Sequence, residues 1–536
     1  MENKVNVWWK NAIGYQINLK SFYDSNGDGI GDLNGVIEKL DYIKSIGVDF
    51  IWICPFYDSP MDDNGYDVRD YKKVYSDYGN IEIFRKLVEK SHNLDLKVVI
   101  DFVINHTSSE HEWFIKSEDR QEPYSDFYYW KDGKFDKDGK IYPPNDWLSF
   151  FGGTAWSFSE KRQQYYLRIF SATMPDLNLD SENVVNALGD VITFWKDLGV
   201  DGFRVDAISH IGKRLDFKDV KNMDKFFKFY SNQPNSYKYL NELNKYWGDE
   251  SFVKMGEMGG DPTFKQIVAL GDKTKKRLNM TFDFVHMGTF FNEKINVEKL
   301  YFSLKHKVNV CNKNGWSALF WFNHDYPRFN FYVSKTINPN LAQTCLAGLM
   351  YFLKGTPIIY NGEEIGMTNY PFKEVVELVD VKSRQLYETS EDKEKTKREL
   401  LDYCRDNSRT MMQWNNSKNA GFSSGKPWFV VNPNYEKINV ENQEKDDNSM
   451  LSCYKRMFKI RKEILTDIEN AEYKFFKKKN VIGYDIKVSS QKYRVVANLS
   501  DKIHLFDGNF EVLFSNMGYN YDNELSPYEI NVLKFK

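Results

Sequence analysis

Eight short β-rich runs, each followed by a helical stretch, pass in order along the first 360 residues, and this rhythm limits the available folds more than any other feature of the chain. The runs lie around Ile13–Ile17, Phe50–Cys54, Val98–Asp101, Gly202–Asp206, Phe252–Glu257, Met280–Phe284, Leu319–Asn323 and Pro357–Tyr360. The stretches between them carry helical periodicity, as in Ile81 to Asn93, where Ile81, Phe84, Leu87 and Val88 share one face, and in Val184 to Leu198. Strand and helix alternating eight times predict an α/β chain closed as a (β/α)₈ TIM barrel.

Two breaks in the rhythm predict additions to the barrel. Residues 102–175 are rich in Tyr, Trp, Gly, Pro and Asp and are expected to form an inserted subdomain after the third strand. Residues 469–536 hold alternating strands (Val481 to Val488, Tyr493 to Asn498, Glu511 to Phe514) without helices, which predicts a C-terminal antiparallel β-sandwich. Residues 1–101 and 176–468 then make up the barrel.

Composition excludes several function classes. Seventy-three basic against 76 acidic residues give a net charge of -3, which offers no electrostatic footprint for nucleic acid or an anionic membrane. The five cysteines are odd in number, scattered and without metal-ligand spacing, so reduced thiols in a reducing compartment are expected. The opening MENKVNVWWKNAIGYQ has no apolar signal core, and the longest apolar stretch, Leu346 to Leu353, is too short to span a bilayer. A cytoplasmic protein follows. The aromatic content of 16% is high; such residues usually serve a core, and they also suit stacking on sugars.

In such a barrel the chemistry sits at the C-terminal ends of the strands. There the chain places Asp101, Asn105 and His106 after the third strand, Arg204 and Asp206 on the fourth, Glu257 on the fifth, and His324 and Asp325 after the seventh. A single strand-end carboxylate is more often a cap or an ion pair. Several around one barrel mouth match glycoside cleavage, which in its retaining form needs an ionised nucleophile and a protonated acid about 5 to 5.5 Å apart. Arg204, two residues before Asp206 on the same strand face, is expected to keep that carboxylate ionised.

The ordered motifs DFVINH (101–106), MPDLN (174–178), GFRVDA (202–207), GEM (256–258) and FNHD (322–325) resemble those of glycoside hydrolase family 13, the α-amylase family. WWKNAIGYQI, GTPIIYNGEEIGMTN (355–369) and RDNSRTMMQW (405–414) place the resemblance in its oligo-1,6-glucosidase and α-glucosidase subgroup, over nearly the whole chain. It implies Asp206 as nucleophile, Glu257 as acid/base and Asp325 as transition-state stabiliser. His106, Arg204 and His324 would hydrogen-bond the glucose ring, and Asp67 with Arg409 would clamp the non-reducing end, making the enzyme exo-acting on a small oligosaccharide. A monomer without organic cofactor is expected. The chain departs from the subgroup at Asn18, Leu19 and Lys20 (usually Tyr-Pro-Arg), at Met411 (usually Pro) and at Tyr326 (usually Gln).

Two finer readings follow from the resemblance. DSNGDGIGD has the alternating oxygen donors of a calcium loop but Gly35 where the final bidentate Glu would stand. The subgroup binds calcium or magnesium there, which implies Asp24, Asn26, Asp28, the Ile30 carbonyl and Asp32 as ligands of a structural Ca²⁺ or Mg²⁺. Ala207, just after the nucleophile, stands where a Val accompanies α-1,6 preference, so maltose-type or sucrose-type bonds are expected, with some tolerance of α-1,6 bonds. Sucrose isomerases, glucosyltransferases and trehalose-6-phosphate hydrolases share the same residues, and a non-catalytic transporter subunit of this fold would carry a membrane span and lack the carboxylates.

Overall fold

The computed structural model describes residues 7–220, 223–291, 294–506, 508–518 and 524–536. Its central sheet contains β1 (Gly14–Ile17), β2 (Phe50–Ile53), β3 (Lys97–Val103), β4 (Gly202–Asp206), β5 (Val253–Met258), β6 (Met280–Asp283), β7 (Ala318–Leu319) and β8 (Thr356–Tyr360). The lateral order is β6-β5-β4-β3-β2-β1-β8-β7, and every paired neighbour is parallel. A parallel bridge from Thr281 to Ser317 joins the two edges, so the sheet is a barrel.

The strands read as continuous apolar runs because both faces are covered, and the four residues of β2, Phe-Ile-Trp-Ile, are all buried. Each flanking helix buries one stripe. In α1 (Leu33–Ser45) the stripe includes Leu33, Val36, Leu40 and Ile43, and Asp32 caps it by accepting from the Gly35 amide at 2.8 Å. In α2 (Ile81–Asn93) Asn80 caps the helix, and Phe84, Leu87 and Val88 face inward. In α3 (Glu182–Asp197) Leu188, Ile192 and Trp195 do the same.

The seventh strand is shorter than expected. Instead of running over Leu319 to Asn323 it ends at Leu319, because the next aromatics are anchored outside the ladder: Trp321 Nε1 donates to the Leu346 carbonyl at 3.1 Å. The FNHD segment is therefore a loop turned over the barrel mouth. By contrast β3 continues to Val103, two residues past its expected end at Asp101.

Between β3 and α3 the chain forms a short helix, Glu112–Glu118, and a three-stranded antiparallel sheet of Trp130–Lys131, Gln164–Leu167 and Trp156–Ser159. Its aromatics, among them Trp147, Trp156 and Tyr165, pack with Tyr230 from the segment after β4. At the C-terminus β9 (Glu472–Lys478), β10 (Val481–Val488), β11 (Gln491–Asn498), β12 (Phe510–Ser515) and β13 (Ile530–Phe535) form an antiparallel sheet in the order β9-β10-β11-β13-β12. One face joins the barrel core, where Tyr484 Oη donates to the Leu349 carbonyl in the helix α4 (Pro339–Tyr351) at 2.9 Å. The second layer is a two-stranded ribbon, whose Leu525 packs on Val481, Val496 and Leu533.

Candidate active site

Strand register assembles the centre. Arg204 on β4 pairs with Asp101 on β3 and with Met255 on β5, and Asp206 and Glu257 each lie two residues further along their strands, on the same faces. The consequence is a guanidinium ringed by carboxylates. Arg204 Nη1 donates to Asp206 Oδ1 at 2.5 Å and to Asp101 Oδ1 at 2.6 Å, while Nη2 reaches Glu257 Oε2 at 2.8 Å. Glu257 Oε2 also accepts from the Ala207 amide at 3.0 Å. Ala207 holds that amide in place in a left-handed conformation (φ 47°), which an L-residue adopts only at a cost.

The expectation that Arg204 alone keeps Asp206 ionised is too simple. Burial pushes Asp206 well above the usual carboxylate range, Arg204 opposes it, and Glu257 and Asp101 add to it. Burial likewise raises Asp101 to about 6 against the pull of Arg204. One guanidinium cannot neutralise three carboxylates, so the cluster favours retention of a proton. Asp325 differs: burial works against its ionisation, yet His324, Arg405 and Arg409 together hold it well below the usual range.

The two histidines sit differently. His324 is saturated by protein: the Gln16 amide nitrogen meets Nδ1 at 2.7 Å, and Nε2 faces Tyr66 Oη at 2.7 Å and Asp325 Oδ2 at 3.1 Å. Its ring stacks on that of Tyr66, with 5° between the planes. His106 instead has an Nε2 that is buried with no protein partner, and its ring lines the cavity. Burial lowers both imidazolium pKa values to about 3, so both rings are neutral.

Asp206, Glu257, Asp325 and His106 all line one cavity of about 430 Å³; Arg204 and His324 lie directly behind it, touching its carboxylates. The pairing of Asp67 with Arg409 is not found. Asp67 is fully buried and closes a turn, accepting from the amides of Asp62 at 2.9 Å and Asp63 at 3.0 Å. Arg409 is bonded to Asp380 at 3.3 Å and lies 3.6 Å from Asp325. The ion pair at the cavity is Asp63 with Arg405, at 2.7 Å, and Arg405 also reaches Asp325 at 3.4 Å. The structure brings Asp63 and Arg405 to the cavity in place of the expected Asp67 and Arg409, because the turn faces Asp67 inward and Asp63 outward, a geometry that leaves no trace in residue type.

Other contributors carried no sequence signal that was used. Asp380 anchors both arginines, and Tyr66 bridges His324 to Asp101. Phe150, Phe151 and Phe170 form an aromatic wall from the insertion, and Tyr326, one of the departures noted above, also lines the cavity. Lys382, in the helix Val381–Thr389, lines it too and has no hydrogen-bonded or ion-paired partner among the described residues. The five cysteines are buried and unpaired.

The Asp24 to Asp32 loop lies apart from this cavity. Its donor set of three carboxylates, an amide oxygen and a carbonyl suits a hard cation. The carboxylates are already engaged: Asp24 accepts from the amides of Asn26, Gly27 and Gly29 and from Ser423 Oγ, Asp28 from the Ile30 amide, and Asp32 from Ser25 and the α1 cap. Gly29 sits at φ +96° with the Lys426 carbonyl where a Cβ would lie, which fixes the tight turn. Among the described residues no three acidic, histidine or cysteine side chains are gathered as ligands, and no helix is long and apolar enough to cross a membrane.

Comparison with known proteins agrees with this architecture. The α-amylase catalytic domain family model matches residues 16–468. The chain is 38% identical to an oligo-1,6-glucosidase of Bacillus cereus over 99% of each chain. It is 39% identical to a trehalose-6-phosphate hydrolase of Bacillus subtilis, over 93% of this chain and 91% of that one. A mutant isomaltulose synthase from Erwinia rhapontici NX5, solved with sucrose, superposes with a TM-score of 0.91 at 35% identity, over 99% of this chain and 100% of that one.

Proposed function

Because the chain belongs to the α-amylase family of glycoside hydrolases, we propose that it is a retaining, exo-acting α-glucosidase that removes glucose from the non-reducing end of short oligosaccharides or disaccharides. The observation that carries this reading is the sharing of one buried guanidinium, Arg204, by Asp206 and Glu257 at a cavity that Asp325 also lines. Asp206 attacks the anomeric carbon and displaces the glycosidic oxygen, which takes a proton from Glu257; Glu257 then removes a proton from the water that breaks the glycosyl ester. Asp206, which burial pushes above the usual carboxylate range against the pull of Arg204, attacks in its ionised form, and the proton of the first step comes from Glu257. Asp325, held ionised by two arginines, stabilises positive charge at the anomeric centre. His324 and Arg204 act from behind, through Tyr66 and the carboxylates, and the Asp63–Arg405 pair closes the pocket against a longer chain.

Proton NMR of the first-formed glucose tests the mechanism. Release of the α-anomer from an aryl α-glucoside is the expected result, and the β-anomer or no release overturns it.

For linkage, Ala207 lines the cavity with little volume, which supports maltose-type and sucrose-type bonds alongside α-1,6 bonds. A few methylenes shift such choices by only about 1 to 3 kcal/mol. Comparing kcat/KM for maltose, isomaltose and sucrose decides it, and strict isomaltose preference removes the argument. A second reading has one observation in its favour: the unpaired Lys382 ammonium in the cavity suits a phosphate on the leaving sugar, as in the substrate for which the Bacillus subtilis relative is named. Trehalose 6-phosphate cleaved at least tenfold better than trehalose, with the preference lost in Lys382→Met, would favour that reading. Capture of the glucosyl group by a second sugar is separated by chromatography of sucrose digests. The Asp24 to Asp32 loop is proposed to hold a structural calcium or magnesium ion through Asp24, Asn26, Asp28, the Ile30 carbonyl and Asp32.

A further inference from the structure

Of the positions where the chain departs from the resembling subgroup, only Tyr326 lines the active-site cavity. Its phenol stays protonated, because burial and the neighbouring Asp325 and Glu257 carboxylates all push it up. The hydroxyl therefore carries a hydrogen, and among the described residues no protein acceptor takes it. The side chain is set before any ligand arrives. Asn323 holds the turn, accepting from the Asp325 amide through Oδ1 at 2.9 Å and from the Tyr326 amide through its carbonyl at 3.4 Å. The ring lies against Phe284, with 5.7 Å between centroids, and against Phe322 at 6.4 Å.

Strand register shows which part of the cavity this is. Glu257 on β5 pairs with Phe282 on β6, so Phe284 stands two residues nearer the mouth than the acid, and both line the cavity. Tyr326, packed on Phe284 and within electrostatic reach of Glu257, sits on the outer side of the carboxyl that meets the glycosidic oxygen. The Asp63–Arg405 pair bounds the glucose side, so this outer side receives the departing sugar.

We infer that Tyr326 is a specificity-determining residue, whose phenolic hydroxyl donates to an oxygen of the departing sugar and so favours sugar leaving groups over others. The inference rests on the α-glucosidase reading, which supplies the direction of cleavage. Two side-chain torsions already fixed by aromatic neighbours mean that little entropy is lost when the bond forms. A leaving group without an oxygen at that point covers the phenol and leaves its hydrogen unpaired, which is where the discrimination arises.

The test compares α-glucosyl fluoride, whose leaving group is an ion and not a sugar, with maltose, isomaltose, sucrose and trehalose 6-phosphate, all on the full-length protein. Tyr326→Phe keeps the ring and loses only an unpartnered hydroxyl, so its melting temperature should match the wild type. For the sugar substrate that the wild type cleaves fastest, kcat/KM should fall by about three- to tenfold. For the fluoride it should change by less than about twofold, because the interaction is absent there. A merely structural role would lower both alike, and that result, or an unchanged kcat/KM for every sugar substrate, overturns the inference. So does a wild type that hydrolyses the fluoride but none of the sugar substrates. If Tyr326→Phe fails to fold, the sugar-to-fluoride ratio is read in Tyr326→Gln, which keeps a donor, and in Tyr326→Met, of similar length without one. Met should then give the lower ratio by about threefold or more, and equal ratios overturn the inference. A wild type that cleaves neither fluoride nor sugar substrate overturns the functional reading and this inference with it, whereas an active enzyme without the split overturns this inference alone.

Discussion

Two acidic regions of this molecule invite the same sequence reading, and the structure treats them in opposite ways. In the Asp24 to Asp32 loop each carboxylate finds its own backbone amides within a few residues. At the barrel mouth Asp101, Asp206 and Glu257 crowd one guanidinium brought to them by strand register, and burial raises Asp206 and Asp101 above the usual range. The first arrangement is locally satisfied and adds stability. The second is left in electrostatic conflict, which costs stability and disfavours full ionisation of Asp206 and Asp101.

The largest expected effect lies at the mouth. Asp206→Asn should lower kcat by about 10⁴-fold or more, since an amide cannot form the glycosyl ester, while leaving the fold intact. Activity within tenfold of wild type would remove Asp206 from its role. The same variant reports on the conflict through pH. A carboxyl whose native pKa lies above its unfolded value of about 3.9 contributes stability that is complete below that value and is lost as pH rises through the native one. With Asp206 raised and Asp101 near 6, the wild type should lose stability between about pH 4 and 7, and Asp206→Asn should lose less. Equal slopes in denaturant titrations across that range would mean that the conflict is relaxed in solution.

Glu257→Gln should come next. Natural glycosides need a protonated leaving oxygen and should lose about 10² to 10⁴-fold, whereas activated aryl glycosides should still form the intermediate in a pre-steady-state burst. An equal defect in the burst for every leaving group would assign Glu257 another role.

A smaller contrast separates two neighbours. Asp63→Ala removes the partner of Arg405 at the cavity and should lower kcat/KM by about 10²-fold through misplacement of the sugar, with little change in melting. Asp67→Ala instead orphans two turn amides and should destabilise by about 1 to 3 kcal/mol with a lesser kinetic effect. The opposite pattern would restore the clamp that the sequence first suggested.

That pair also marks how far the sequence could be read. Period and strand-end polarity located all eight strands and the carboxylates that meet at the barrel mouth, because apolar runs and their polar ends are local properties. The choice between Asp63 and Asp67, or Arg405 and Arg409, depends on turn geometry and on Asp380, which binds both arginines from the N-cap of the helix Val381–Thr389. The shortened β7 depends on where Trp321 finds a partner, the Leu346 carbonyl on another helix. Contacts of this kind are long-range, and residue type alone does not encode them.

The smallest effect should come from the loop, and its size follows from how well the loop is already satisfied. A cation that binds the native state alone stabilises it by RT ln(1 + [L]/Kd), about 2.7 kcal/mol at a hundredfold excess over Kd. Here Asp24 and Asp32 would keep most of their amide partners and add the cation through remaining lone pairs, so binding should be modest and a chelator should lower the melting temperature by only a few degrees. Calcium should restore it. The informative variant is Asp28→Ala, because Asp28 is exposed and accepts from only one backbone amide, that of Ile30. Asp32→Ala would also remove the α1 cap and cost about 0.5 to 2 kcal/mol with or without metal. Asp28→Ala should abolish the response to calcium while barely moving the melt in chelator. If the wild type melts identically with chelator and with calcium, and elemental analysis of protein purified without chelator finds no divalent metal, then the amides alone hold this loop, and its likeness to a calcium site is one of sequence only.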